Sequence, residues 1–270
     1  MNHILLFLSF VTLLCGEELS KYEGKGISLK LICDHTSVSP GQQVTYGVSI
    51  THDKGYHSYW KNPGIIGYPF TLEWSLPEEI PEPLVNYPYP ERIKMVHYPC
   101  YGYERPVTIL STFTVPQDYS ATTISGTLKL WWMCCRDSCC PDETSFTIKL
   151  PVGEGTSSNT NTLKIIQAAK LELPTNDHQS SSRILSQMGN EAIKVELTIP
   201  RGSTPVHLYS SDNQSSSDVE QKFTLTKVDK ETHTYSIDLP RYQFSPKNQS
   251  HFPFILQTTA GHYQFSPAYP

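Results

Sequence analysis

Residues 124–150 read ISGTLKLWWMCCRDSCCPDETSFTIKL. Apolar residues occupy every second position before the cysteines and again after them, which is the pattern of two half-buried β-strands. The alternating positions are Leu128, Leu130 and Trp132 before the cysteines and Phe146, Ile148 and Leu150 after them. The stretch therefore predicts a β-hairpin with residues 136–138 at its tip.

Four cysteines flank this tip. Opposing residues of an antiparallel pair share a face and successive pairs alternate faces, so Cys135 should face Cys139, and Cys134 should face Cys140 on the other side. A disulfide needs Cβ atoms about 3.8 Å apart, which the closer, non-hydrogen-bonded type of pair approaches better. One pair is expected to bond easily and the other under strain or not at all. Because a strained, exposed disulfide exchanges readily, the cluster predicts a redox-active site.

Two other interpretations of the cysteine cluster stay open. The first is a structural disulfide, which needs only one pair of cysteines and leaves the other two thiols without a role. Four thiolates could also hold Zn(II) or Cu(I), because soft ligands select these ions. The usual structural zinc site, however, draws its ligands from two separated pairs, whereas all four cysteines here lie within seven residues.

Strand patterns recur along the whole chain and predict an all-β protein of two β-sandwich domains, the second one smaller. The first series covers residues 27–50, 70–74, 107–115, 124–132 and 146–150, and the second covers 193–199, 223–225, 235–239, 252–256 and 263–265. Between them, residues 153–161 are a polar linker rich in Gly, Ser and Asn. Residues 162–173 predict a short helix that Pro174 ends. The expected domains are residues 24–152 and 162–270.

The charge of the chain excludes one class of partner. The 270 residues carry a formal net charge of −5 and contain no basic cluster. A protein that binds nucleic acid neutralises phosphates with Lys and Arg. We therefore expect no nucleic-acid partner.

The N-terminus has the pattern of an export signal. Residues 4–14 are apolar apart from Ser9 and Thr12, and Cys15 follows them. At about 1.5 Å per helical residue this run is too short for a bilayer core of roughly 30 Å, but it has the length of a signal-peptide apolar region. We predict a signal peptide at residues 1–16, with Cys15 as a candidate lipid-anchor site.

Export changes the interpretation of the cysteines. The chain has seven, and six remain after the signal peptide: the four of the hairpin, Cys33 and Cys100. An even number of cysteines in an exported chain predicts disulfides.

Several motifs together resemble the periplasmic N-terminal region of the DsbD/ScsB thiol:disulfide interchange proteins. They are GYHSYWKNPG at 55–64, GYP at 67–69, EW at 73–74, LP at 76–77, YGYE at 101–104 and WMCCRDSCCP at 132–141. The resemblance covers roughly residues 27–152, and residues 253–256 are more weakly similar to the second β domain of ScsB-type proteins. Cys135 and Cys139 fit the spacing of the ScsB branch, while Cys134 and Cys140 partly fit that of the DsbD branch, so the catalytic pair stays open.

The resemblance implies an immunoglobulin-like sandwich in the periplasm that relays electrons by thiol–disulfide exchange and needs no cofactor. It implies that the later cysteine, Cys139 or Cys140, forms the mixed disulfides and that Cys135 or Cys134 resolves them. The expected electron donor is a membrane reductase system of the DsbD/CcdA type or a thioredoxin-like protein, and the expected acceptors are periplasmic client oxidoreductases. Because no membrane bundle or thioredoxin-like domain is recognisable in the rest of the chain, the donor is expected to be a separate polypeptide.

Residues beside the cysteine pair suggest further roles. Arg136 would lower a cysteine pKa, and Asp137 would oppose it. Cys100 and Tyr101 line up with the cap loop that shields the cysteines in DsbD. Three interpretations of Cys100 stay open: a third redox thiol, a structural disulfide with Cys33, or a small buried apolar residue. His57 is expected to be a packed strand or turn residue rather than a metal ligand.

Overall fold

The computed structural model describes residues 21–155, 157–176, 179–188, 192–246 and 248–270. The predicted signal peptide at residues 1–16 and the candidate anchor Cys15 lie outside these residues. No helix in the described part of the chain has both the length and the hydropathy needed to cross a membrane.

Alternating apolar residues form two sheets in the first domain, as the sequence predicts. Its strands are β1 (Lys21–Gly24), β2 (Ile27–Cys33), β3 (His35–Ser37), β4 (Gln43–His52), β5 (His57–Gly64), β6 (Thr71–Ser75), β7 (Leu84–Asn86), β8 (Glu91–Met95), β9 (Tyr98–Tyr103), β10 (Val107–Thr114), β11 (Thr123–Cys135) and β12 (Cys139–Pro151). The first sheet has the order β1-β2-β4-β10-β7, and the second has the order β12-β11-β5-β9-β8, with β6 also paired to β11. All neighbours in both sheets are antiparallel.

The main core lies between these two sheets. Every second residue of β2, β4, β10 and β11 enters it, so the period-2 pattern of the sequence corresponds to burial on one face. Leu29, Val48, Ile109, Leu128 and Trp132 are all at most 1% exposed. The first domain is an immunoglobulin-like β-sandwich.

A short helix covers the outer face of the first sheet. Strand β13 (Ser157–Ser158) pairs with β3, and α1 (Thr160–Lys170) follows it. The Asn159 side chain caps the helix by accepting a hydrogen bond from the Thr162 backbone N–H, at 3.3 Å. This cap explains why the helix begins before residue 162, where the apolar pattern alone predicted its start. Ile166 and Ala169 then pack on the first sandwich, although the sequence assigned residues 162–173 to the second domain.

The second domain is a smaller β-sandwich. Its strands are β14 (Ser181–Met188), β15 (Ala192–Pro200), β16 (Pro205–Ser210), β17 (Thr224–Val228), β18 (Thr232–Pro240), β19 (Phe254–Thr258) and β20 (His262–Phe265). They form the sheets β14-β15-β18-β17 and β16-β19-β20. Val195, Ile237, Leu208 and Leu256 meet between the sheets, each at most 1% exposed. The all-β prediction of two sandwiches is confirmed, while the exact domain boundaries stay a prediction.

Candidate functional site

The two longest strands form a hairpin that ends at the cysteines. β11 and β12 pair without a break from Thr123 opposite Pro151 to Cys135 opposite Cys139. At the tip, the Arg136 backbone N–H donates a hydrogen bond to the Ser138 carbonyl, at 3.3 Å. The predicted hairpin and its register are confirmed.

Cys135 and Cys139 form a disulfide, with their Cα atoms 4.1 Å apart. This separation matches the closer, non-hydrogen-bonded type of antiparallel pair, for which about 4.5 Å is typical. Cys134 and Cys140 are both free thiols. The structure therefore decides which of the two nested pairs is bonded.

The disulfide lies on the face of the second sheet that points away from the main core. Strand alternation causes this placement, because Cys134 belongs to the main core whereas the adjacent Cys135 belongs to a separate small cluster. We call this group the sulfur cluster; its members are Tyr59, Ile93, Cys100 and Cys135, with Ile66, Met95, Met133 and Cys139 packed against them. Cys135 is completely buried, and Cys139 is only half-buried.

Tyr59 makes a polar contact with the disulfide. Its hydroxyl lies 3.3 Å from Cys135 Sγ and 3.9 Å from Cys139 Sγ. Burial raises the pKa of this phenol well above its ordinary value, so it keeps its proton at neutral pH and can donate to sulfur. Sequence reasoning placed Tyr59 in a family motif but gave it no role.

The β8–β9 hairpin also contacts the disulfide. Met95 at the end of β8 brings its Sδ to 3.7 Å from Cys139 Sγ. Cys100 and Tyr101, which the resemblance aligned with a cap loop, belong to strand β9. The cover is therefore a strand pair with a tight turn, in which Val96 has a φ of 57°.

The structure separates the two residues assigned to the cap. Cys100 points into the sulfur cluster as a buried free thiol, and burial raises its pKa to about 11. Tyr101, next in the strand, faces away from the disulfide and donates or accepts a hydrogen bond at 3.3 Å with His207 of the second domain. Tyr101 is thus an interdomain packing residue, which corrects its assignment to the cap. A redox role for Cys100 stays a prediction.

The Cys33–Cys100 disulfide is not formed. Both residues are free thiols, and they lie on different sheets, Cys33 at the end of β2 and Cys100 in β9. Of the three interpretations of Cys100, the structural disulfide is therefore wrong.

The polar residues at the tip neutralise each other. Arg136 Nε lies 2.9 Å from Asp137 Oδ2, and its guanidinium stacks 4.7 Å from the centre of the Tyr56 ring. Both charged side chains are exposed at the end of the hairpin. Their effect on a cysteine pKa stays a prediction.

Metal binding by all four cysteines is incompatible with the alternation of the strands. Cys134 faces the main core and Cys135 the opposite side, so no single ion can contact both pairs. Within the described residues, no group of three or more His, Cys, Asp or Glu could hold a metal. His57 is 4% exposed in β5, opposite Cys135, and burial lowers its pKa.

The second domain contacts the segments that cover the disulfide. Ser217 is completely buried; its Oγ accepts a hydrogen bond from the Ile65 N–H at 3.0 Å and donates one to the Pro99 carbonyl at 3.1 Å. Gly64 adopts a φ of +85°, and a Cβ there would lie 2.1 Å from Ser217 Oγ, so only glycine fits. Ser217 therefore links, through two hydrogen bonds, the backbone just before Ile66 to the backbone just before Cys100. Sequence reasoning missed this residue, since no motif marks it.

The Cys135–Cys139 disulfide lies at the hairpin tip beside the Tyr59 hydroxyl, with one cysteine buried and the other half-buried. This arrangement is suited to thiol–disulfide interchange. Residues 33–151 match the family model described as "Thiol:disulfide interchange protein DsbD, N-terminal". The match spans most of the first domain and supports a DsbD/ScsB-type N-terminal domain.

Comparison with solved structures extends the fold assignment to both domains. The chain is similar to the N-terminal periplasmic domain of ScsB from Proteus mirabilis, with a TM-score of 0.65 and 13% identity over 93% of this chain and 98% of that chain. A conserved domain protein from Bacillus anthracis gives a TM-score of only 0.29, at 10% identity over 90% of this chain and 77% of that chain. No curated protein sequence matches the chain significantly.

Proposed function

We propose that the protein relays electrons by thiol–disulfide exchange through Cys135 and Cys139. The observation that carries this proposal is the disulfide at the hairpin tip, with one sulfur half-buried and the other completely buried beside the Tyr59 hydroxyl. A purely structural cross-link needs neither a reachable sulfur nor a hydrogen-bond donor at the other sulfur.

The difference in burial between the two sulfurs favours one direction of attack. An incoming thiolate reaches Cys139 Sγ more easily than the buried Cys135 Sγ. It forms a mixed disulfide with Cys139 while the Cys135–Cys139 bond breaks and Cys135 leaves as a thiolate. A second thiol of the donor, after losing its proton, then attacks its neighbour in the mixed disulfide. This releases Cys139, so that the donor dithiol is oxidised and the hairpin disulfide is reduced by two electrons.

Tyr59 supports the first of these steps. Negative charge develops on Cys135 Sγ as it leaves, and Cys135 is completely buried from bulk solvent. The phenol O–H, 3.3 Å away, can donate a hydrogen bond to that charge, and hydrogen bonds to charged groups are stronger than neutral ones. The reverse reaction uses the same contact, because the Cys135 thiolate is then the nucleophile that resolves the mixed disulfide.

We further propose that the exchange takes place in the periplasm. The electron donor would be a separate membrane thiol:disulfide reductase or a thioredoxin-like protein, and the acceptors would be client oxidoreductases. The match of residues 33–151 to the DsbD N-terminal family model supports this assignment, as does the likeness to a periplasmic ScsB domain.

A redox titration tests the proposal. The mature protein is equilibrated with mixtures of reduced and oxidised glutathione, alkylated, and its free thiols are counted by mass. The titration is made in protein carrying Cys134→Ala and Cys140→Ala, so that Cys135 and Cys139 are the thiols of the hairpin that can titrate. We expect a two-electron transition that is absent when Cys139→Ser is added and unchanged when the matched control Cys33→Ser is added. A disulfide that stays bonded at the most reducing ratio would contradict the relay and indicate a structural disulfide. Thiols that react with the alkylating agent only after a chelator is added would indicate a metal site instead.

A further inference from the structure

The hairpin carries a second pair of thiols behind the disulfide. Cys134 and Cys140 stand directly opposite each other in β11 and β12, one position further from the tip than Cys135 and Cys139. Both are free, and strand alternation turns them towards the main core. The proposed relay makes no use of them.

The Cα separation expected for this pair lies within the range found in disulfides, although its side chains stand further apart than those of a non-hydrogen-bonded pair. Hydrogen-bonded and non-hydrogen-bonded pairs alternate along an antiparallel ladder. Cys135 and Cys139, with Cα atoms 4.1 Å apart, are a non-hydrogen-bonded pair, so Cys134 and Cys140 are the hydrogen-bonded pair that follows. Such pairs have Cα atoms about 5.5 Å apart, within the range most common for disulfides.

The position of Pro141 supports this assignment independently. Pro141 stands opposite Met133, the next pair along the ladder. Proline has no N–H to donate, so it is tolerated at a non-hydrogen-bonded position and disfavoured at a hydrogen-bonded one. Cys134 and Cys140 therefore lie between two non-hydrogen-bonded pairs, and the alternation along the ladder makes them a hydrogen-bonded pair.

The two thiols have different surroundings. Cys134 is 1% exposed, and burial raises its pKa to about 12, with the neighbouring Cys140 adding to the effect. Cys140 is half-buried, so a reagent can reach it from solvent. Reaction with an external disulfide would thus begin at Cys140.

We infer that Cys134 and Cys140 form a second dithiol–disulfide couple on the opposite face of the same hairpin. Cys140, as a thiolate, attacks a low-molecular-weight disulfide such as oxidised glutathione, forms a mixed disulfide and releases one glutathione. Cys134 then loses its proton and attacks Cys140 Sγ, which releases the second glutathione. Two cysteine thiols are oxidised to a disulfide, and one glutathione disulfide is reduced to two thiols. This couple is separate from the relay through Cys135 and Cys139.

The tryptic map of the hairpin allows a direct test on the wild-type protein. Protein equilibrated with increasing ratios of oxidised to reduced glutathione is denatured, alkylated at low pH and digested without reduction. Cleavage after Lys129, Arg136 and Lys149 separates residues 130–136 from residues 137–149, which stay linked by disulfides. As the ratio becomes more oxidising, we expect the number of alkyl groups carried by the two linked peptides to fall from two to none. Two alkyl groups at the most oxidising ratio, or a glutathione adduct retained on Cys140, would overturn the inference.

Two variants identify the bond. In Cys140→Ser, the linked peptides should carry one alkyl group, on Cys134, at every oxidising ratio. In Cys135→Ser/Cys139→Ser, the peptides should stay linked under oxidising conditions through Cys134 and Cys140 alone, and peptides that separate would contradict the pairing. Because the relay is scored by the redox transition of Cys135 and Cys139, failure of one proposal leaves the other distinguishable.

Discussion

Replacement of Tyr59 by Phe should slow reduction of the hairpin disulfide. The substitution removes the hydroxyl that lies 3.3 Å from Cys135 Sγ and keeps the ring that packs in the sulfur cluster. The half-buried Cys139 stays as reachable as before. The change therefore acts mainly on the leaving Cys135 thiolate.

The size of the effect follows from the charge on that sulfur. A hydrogen bond to a fully charged group contributes about 1.5–3 kcal/mol. In the transition state of exchange the sulfur carries roughly half of the charge, so about 0.7–1.5 kcal/mol of this is lost. A factor of ten in rate corresponds to about 1.4 kcal/mol, and we expect reduction of Tyr59→Phe to be about three- to tenfold slower than that of the wild type.

The assay is reduction by excess dithiothreitol at pH 7, quenched with acid and alkylating agent and followed by mass at the hairpin peptides. Tyr103→Phe is the matched control, because Tyr103 is equally buried in the neighbouring strand β9 but donates its hydroxyl to the Pro88 carbonyl, at 2.9 Å, instead of to sulfur. If the rate for Tyr59→Phe equals that of the wild type or of Tyr103→Phe, the role assigned to the hydroxyl is wrong.

Three further predictions concern the cover of the disulfide and the stability of the fold. Met95→Ala removes the thioether 3.7 Å from Cys139 Sγ; it should speed reduction by dithiothreitol and lower the free energy of unfolding by about 1–2 kcal/mol, roughly half the loss for a fully buried methionine. Ser217→Ala leaves a backbone N–H and a carbonyl without their partner, so it should destabilise the fold by about 1–3 kcal/mol in urea and accelerate amide hydrogen exchange in residues 64–66. Burial lowers the pKa values of His52 and His207 to about 4, so between about pH 6.5 and 4 only the unfolded chain protonates them. The free energy of unfolding should therefore fall with decreasing pH by up to about 1.4 kcal/mol per pH unit for each histidine, and urea titrations at pH 7, 5.5 and 4.5 that give equal values would contradict this.

The hairpin could be predicted from sequence because its information is local. Alternation up to Trp132 and away from Phe146, around a three-residue tip, fixes which cysteines face each other. Alternation also predicts that Cys134 and Cys135 point to opposite faces. It leaves open which pair bonds, because that depends on which position of the ladder is hydrogen-bonded, and this alternation of bonding is invisible in the hydrophobic pattern.

The cover of the site depends on contacts distant in sequence. Residues 84–103 are rich in proline and tyrosine and show no clear strand period, yet they form β7, β8 and β9. β7 and β9 pair with strands formed elsewhere, β10 and β5, and β8 pairs with β9. Tyr59 meets Cys135 across 76 residues, and Ser217 meets Ile65 across 152. A single sequence carries no signal for such a meeting, because each side chain is an ordinary residue in its own segment. The prediction of a Cys33–Cys100 disulfide was wrong for the same reason, because the number of cysteines in a chain does not show which strands are neighbours.

Because Ser217 hydrogen-bonds to both Ile65 and Pro99, we expect the reactivity of the first domain to depend on the second. A shortened chain that ends at residue 152 would keep every cysteine of the hairpin and its register. It would nevertheless lose a side chain that hydrogen-bonds to both segments, so we expect the disulfide in such a fragment to be reduced faster than in the full chain. Redox constants measured on the isolated first domain would thus describe a more open site than the intact protein has.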